Sequence, residues 1–175
     1  MKNDFVMPVL VLTLICLIIS GALAVTNTIT EPVIANGAEQ RESLAMKEIM
    51  PQGDGFEPLD TSGLPAAIGE AYRTTNNVGY VFVATVAGYG GDIELICGLN
   101  ADGKIIHNKV LKQSETEGLG ARIAENPFSD QFDGIDKSQL DSVDTITGAT
   151  ISSKAYINAI RDVFTAFDII KEADK

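Results

Sequence analysis

Apolar and polar positions alternate along this chain in three different ways, and each predicts a different element. Residues 6–25 are an uncharged, mostly aliphatic run, about the 20 residues that cross a bilayer as a helix. Pro8 falls in its first turn, where proline is tolerated. Thr30-Glu31-Pro32 then reads as the cap, acidic first turn and early proline of a second helix. That helix runs to about residue 50, is weakened by Gly37, and stops at Pro51. The Gly-, Pro- and Asp-rich stretch over 51–65 reads as loop.

From there the pattern changes to β. Residues 67–73 predict a short strand, and Asn76-Asn77-Val78-Gly79 a turn. Residues 80–87 carry almost no polar side chain and predict a central strand. Gly88-Tyr89-Gly90-Gly91 interrupts it and joins it to another strand at 93–99. Its spacing fits neither a Walker loop nor a dinucleotide fingerprint, so a tight turn or bulge is the plainer reading. Asn100-Ala101-Asp102-Gly103 predicts a hairpin to a strand at 104–111. Near the carboxy terminus the period lengthens. Tyr156, Ile160, Val163, Phe164, Phe167 and Ile170 lie on one face of a helix over about 151–172.

These elements predict an α+β fold, with an antiparallel sheet of about four strands packed on the long carboxy-terminal helix. The expected organisation is a tail at 1–5, a transmembrane helix at 6–25, a helical linker and loop at 26–66, and a folded domain at 67–175. Ala22-Leu23-Ala24 resembles a signal cleavage site, but the apolar run exceeds a usual signal core, so a retained anchor is expected. A lipobox at Cys16 fails because Ile15 is too large for the preceding position. Lys2 and the amino terminus are the positive charges flanking the anchor, which points to an amino terminus inside and residues 26–175 outside the cytoplasm.

Charge and composition remove several function classes. Net charge is −11, and it all lies beyond residue 25, because Lys2 and Asp4 cancel. An acidic domain without a basic stripe repels nucleic-acid phosphates. Cys16 and Cys97 are far apart and form no CxxC pair, which argues against a cysteine-ligated metal or cluster. The single histidine, His107, has both a structural and a catalytic reading, and the structural one is the commoner for a lone strand histidine.

Chemistry concentrates at Thr147-Gly148-Ala149-Thr150-Ile151-Ser152-Ser153, where a hydroxyl-rich loop enters the last helix. A helix start offers unpaired N–H groups and the positive end of the dipole, a setting for a phosphate. Capping is the simpler reading, but one hydroxyl suffices for a cap and four are present. A second stretch, Glu115-Thr116-Glu117-Gly118-Leu119-Gly120, sets two glycines around a leucine, which lets backbone approach a flat ligand.

Thr147-Gly148-Ala149-Thr150 resembles the flavinylation motif of the covalent FMN-binding domain family, and Asp144 matches its upstream Asp. Glu115 to Gly120 resembles the same family's Glu-Thr-Pro-Gly-Leu-Gly motif, with Glu117 in place of Pro and Gln113 where a His is frequent. Gly88-Tyr89-Gly90-Gly91 is similar to a Gly-Tyr-x-Gly segment of that family. Within the family the pattern is most similar to the G subunits of Rnf ion-translocating electron-transport complexes, relatives of the C subunit of sodium-translocating NADH:quinone reductase. The resemblance implies FMN attached covalently through its phosphate to Thr150. It implies Gly148, Ala149, Ser152 and Ser153 around the phosphate, and Thr116, Gly118, Leu119 and Gly120 along the flavin ring. It further implies an electron-relay subunit of a ferredoxin:NAD oxidoreductase that moves Na⁺ or H⁺, incomplete without other membrane subunits. A flavin transferase would make the bond, with Asp144 helping recognition of the loop or fixing its conformation. The alternative is a membrane-anchored flavin sensor, or an FMN-domain redox carrier outside an ion pump.

Overall fold

The computed structural model describes residues 3–173, with side chains described over 6–31, at 42 and over 44–173. It forms two compact units, Met1–Arg41 and Glu42–Lys175. Helix α1, Asn3–Ile49, supplies the first unit and the opening turns of the second. Its stretch Val6–Glu31 is long and apolar enough to cross a membrane, and none of it is buried by protein.

The expected second helix start at Thr30 does not occur. Thr26 and Thr30 hydroxyls donate to the carbonyls four residues back, each at 2.9 Å. Thr30 is thus bonded inside the helix and caps nothing. Pro32 removes one rung of the hydrogen-bond ladder, and α1 continues through it. The helix does end before Pro51, closing with the Met50 N–H on the Met46 carbonyl.

The second unit is built on a five-stranded antiparallel meander: β1 Phe56–Pro58, β2 Ile68–Thr74, β3 Gly79–Ala87, β4 Asp92–Asn100 and β5 Ile105–Lys112, in that spatial order. β1 lies inside the stretch read as loop. It pairs three residues with the outer edge of β2, Phe56 opposite Thr74, and a short strand with a proline suits an edge.

Strand alternation gives the sheet two apolar faces. Tyr80, Phe82, Ala84, Leu95, Cys97 and Leu99 face helix α3, Thr150–Ala173, and meet Tyr156, Ile160, Val163, Phe164 and Phe167. Val81, Val83 and Ile96 point the other way, onto Ala45, Met46, Ile49 and Met50 at the end of α1. A strand with almost no polar positions is what a sheet covered on both faces requires, and β3 is that strand.

Between β5 and α3 the chain makes a 3-10 turn at Gly120–Ala124, a one-turn helix α2 at Asn126–Ser129, and 3-10 turns at Asp130–Phe132 and Lys137–Ser142. Phe128 and Phe132 seat this segment against Tyr156, with ring centroids 5.3 and 5.1 Å away. A polar chain reinforces it. The Tyr156 hydroxyl donates to Asn108 Oδ1, and Asn108 Nδ2 donates to the Ser129 carbonyl and to Asp133 Oδ1, both at 3.1 Å. Asp133 Oδ2 lies 2.8 Å from His107 Nδ1, so His107 belongs to this structural network. Burial raises the Cys97 thiol and Tyr156 phenol pKa, leaving both protonated at neutral pH.

Candidate functional site

Three backbone features shape the site. The first is the start of α3. Gly148 holds a left-handed φ of 84°, which turns the chain from the loop into the helix. The first helical bond joins the Ser153 N–H to the Ala149 carbonyl at 2.9 Å. Thr150, Ile151 and Ser152 therefore present N–H groups that the helix itself cannot satisfy. None of the hydroxyls caps them. Ser153 Oγ donates to the Ala149 carbonyl at 2.9 Å and accepts from the Ile146 N–H at 3.0 Å, folding the loop back onto the helix. Ser152 Oγ donates to Glu115 Oε2 at 2.7 Å. The Thr150 hydroxyl, in an exposed residue, has no hydrogen-bond partner among the described residues.

The second feature is the loop after β5. Leu119 and Ala121 N–H groups both donate to the Thr116 carbonyl at 3.1 Å, with Gly118 at φ 73° in the bend. Leu119 is carried towards Gly148: a Cβ on that glycine would lie 3.6 Å from Leu119 Cδ2. The third is the turn between β3 and β4, closed by the Gly88 N–H on the Gly91 carbonyl at 2.8 Å. It projects Tyr89, which is 73% exposed.

These features enclose a cavity of about 300 Å³, lined by Tyr89, Glu115, Thr116, Leu119, Gly120 and residues 148–152. That volume lies at the small end of ordinary ligand sites. Of the residues singled out in the sequence, Thr150, Gly148, Ala149, Ser152, Thr116, Leu119 and Gly120 line it. Ser153 does not line it: it is fully buried, with its oxygen committed to the loop. Gly118 does not line it either, and open space lies where its side chain would be.

Gly120 lines the cavity and also packs closely against protein. A Cβ there would stand 2.4 Å from Glu115 Oε2 and 2.8 Å from Ser152 Oγ, so the missing side chain makes room for protein. Glu117 is exposed and off the cavity wall. Gln113 turns inward on its own loop, its Oε1 accepting from the Glu115 N–H at 2.5 Å. Asp144 is likewise off the main cavity. Its N–H donates to Gln131 Oε1 at 3.0 Å, and it lines a separate hollow of about 120 Å³ with Arg122 and Gln131.

Sequence reasoning missed three wall residues: Tyr89, Ile151 and Glu115. Tyr89 and Ile151, with Leu119, are large apolar side chains left about half exposed or more around the opening. Such a cluster marks a binding surface more readily than a single exposed leucine does. Glu115 is only 7% exposed. The signal for all three was present in the motifs, but only folding brings the segments together.

The site is mixed in a way that suits an anionic tail joined to a flat apolar body. It offers a free hydroxyl and a helix N-terminus, and with them the apolar side chains of Tyr89, Leu119 and Ile151. Among the described residues no group of three or more His, Cys, Asp or Glu is arranged to hold a metal ion.

Comparison with known proteins places the cavity within a known domain family. The FMN-binding domain family matches residues 88–165, which include every residue lining the cavity. The G subunit of the proton-translocating ferredoxin:NAD(+) oxidoreductase complex of Clostridium ljungdahlii is 32% identical over 86% of this chain and 85% of its own length. The G subunit of the Na(+)-translocating ferredoxin:NAD(+) oxidoreductase complex of Acetobacterium woodii is 31% identical over 86% of each. A solved structure, the C subunit of the Na(+)-translocating NADH-quinone reductase of Parabacteroides distasonis, aligns with a TM-score of 0.43 and 21% identity over 56% of this chain and 60% of its own.

Proposed function

The chain belongs to the family of G subunits of ion-translocating ferredoxin:NAD(+) oxidoreductase complexes, and we propose that it is the electron-relay member of such a complex, carrying FMN covalently on Thr150. The observation that carries this reading is the Thr150 hydroxyl. It is exposed, unpartnered among the described residues, and set at a helix N-terminus on the wall of the cavity.

Attachment uses that hydroxyl as nucleophile. Its oxygen bonds to the FMN phosphorus of FAD, the pyrophosphate bond breaks, AMP leaves, and the hydroxyl proton passes to the medium or a base. A separate flavin transferase is the expected catalyst, because the carboxylate on the cavity wall, Glu115, already accepts three hydrogen bonds. Asp144, exposed and outside the cavity, suits recognition of the loop by that enzyme.

In the finished protein, the N–H groups of residues 150–152 and the turn at Gly148 and Ala149 hold the phosphate, with Ser152 at their side. Thr116, Leu119 and Gly120 border the ring, and Ser153 and Gly118 act through the loops that they shape. Bound FMN supplies the electron acceptor and donor chemistry that the side chains lack. The covalent link matters for a domain outside the cytoplasm, where a lost cofactor is not readily replaced. Other subunits of the complex supply the ferredoxin and nicotinamide steps.

Denaturing electrophoresis tests the central point. Flavin fluorescence should stay with the wild-type band, persist in Thr147→Ala, and vanish in Thr150→Ala. Intact mass should show one added FMN. A wild-type chain with no bound flavin sinks the proposal. Protease protection of sealed vesicles reports the side: a domain degraded only in inside-out vesicles would place it in the cytoplasm.

A further inference from the structure

Glu115 is the one buried acidic side chain of the second unit among the described residues, and the cavity is built around it. Its Oε1 accepts from the Tyr89 N–H at 2.7 Å and the Gly90 N–H at 3.1 Å. Its Oε2 accepts from Ser152 Oγ at 2.7 Å. One carboxylate thus ties the β3–β4 turn, the loop after β5 and the first turn of α3. The glycines around it follow from this. A Cβ at Gly88 would stand 2.1 Å from Oε1, and one at Gly120 would stand 2.4 Å from Oε2. Ordinary packing does not require an acid here, since a neutral amide of the same size could also accept the two backbone N–H groups.

We propose that Glu115 is a positioning residue for the flavin site, fixing the wall that carries Tyr89 and lowering the flavin reduction potential through its fixed negative charge. Glu115 has this role only if the cavity holds the flavin. Three hydrogen-bond donors converge on its two oxygens and hold the carboxylate in place. A carboxylate on the wall of a partly desolvated cavity makes addition of electrons to a neighbouring group less favourable, because like charge is poorly screened there. The buried acid therefore biases the relay towards giving electrons up.

Glu115→Gln removes the charge and keeps the shape: its oxygen accepts from Tyr89 and Gly90, and its NH₂ donates to a rotated Ser152 hydroxyl. Spectroelectrochemical titration of the purified flavinylated protein should show the midpoint potential of Glu115→Gln above that of wild type. Ser152→Ala removes one donor from the carboxylate, leaves its charge less compensated, and should shift the potential downwards. Shifts of opposite sign are not expected from simple loosening of the site. In unloaded protein, Glu115→Ala should lose amide-exchange protection at Tyr89 and Gly90, while strands β3 and β4 keep theirs. Unchanged potential in loaded Glu115→Gln overturns the electrostatic role, as does a downward shift. If Glu115→Gln takes up no flavin, the Ser152→Ala shift decides, and no shift or an upward one overturns the role. Absence of flavin from wild type would instead overturn the Thr150 reading.

Discussion

Two residues show how little separates a binding residue from a brace in this loop. Thr150 and Ser153 are three apart at the start of the same helix, and both carry hydroxyls. Thr150 lines the cavity; Ser153 is fully buried and bonded to Ala149 and Ile146. Ser153→Ala strands the Ile146 N–H and should cost about 1–2 kcal/mol of stability. The melting temperature should fall, while covalent flavin is still incorporated into the folded fraction. Gly148 precedes both in the chain at φ 84°, a conformation that costs an L-residue about 1–2 kcal/mol. Gly148→Ala should therefore destabilise by that amount in a denaturant titration. It should also lower flavin incorporation, since it disturbs the turn that presents Thr150. The four-hydroxyl surplus was visible in the sequence. That Ser152 and Ser153 are committed while Thr150 stands free on the cavity wall was not, because it depends on Glu115 arriving from another loop and on the fold of the loop at Ile146.

Among the elements, α3 and the end of α1 do comparable work on opposite faces of the sheet. Helix α3 is tied to β5 through Tyr156 and Asn108, both buried. Tyr156→Phe leaves Asn108 Oδ1 without this donor in a dry site and should cost about 1–3 kcal/mol, measured by urea unfolding. The end of α1 is tied to β2 through acids. The Tyr72 hydroxyl bonds Glu70 and also reaches Glu42 Oε1 at 3.2 Å. Burial, then the neighbouring Glu70 carboxylate, lift the Glu42 pKa from 4.5 to about 7; the Tyr72 hydroxyl opposes the rise and the charge of Glu94 adds to it. The folded state thus binds this proton more tightly than the unfolded chain does. The stabilisation is complete below about pH 4.5 and is lost as pH rises through about 7. The melting temperature of the second unit should fall between pH 5.5 and 8, and Glu42→Gln should flatten that dependence. A wild-type profile flat over this interval would show that the pair is not coupled to folding.

At the scale of the molecule, the two-sided sheet decides where the domain can be cut. Ile49 and Met50 are fully buried against Val81, Val83 and Ile96. The compact unit spans Glu42–Lys175 and so includes these residues. A protein starting at residue 42 should be soluble and unfold cooperatively. One starting at residue 52 should bare an apolar sheet face and aggregate, as light scattering would report. Residues 6–31 contribute to neither core and are apolar enough to lie in a bilayer.

Local pattern was enough for β2 to β5, for α3 and for the apolar span, because each is specified by its own period of side chains. The glycine-bearing motifs were also legible one at a time, as was the hydroxyl-rich helix start. Strand β1 was not, because three residues with a proline become a strand only when the β2 edge is there to pair with. The long α1 was not, because cap and proline signals at residues 30–32 are local, while a continuous helix is a cooperative outcome of the turns on either side. The centre of the site was hidden most completely. Glu115 bonds residues 25, 26 and 37 positions away in the chain. Hydrogen bonds of that reach have no period or spacing to betray them. The sequence by itself thus determined which segments carry the chemistry; the tertiary structure alone decided that a buried carboxylate would draw them round one cavity.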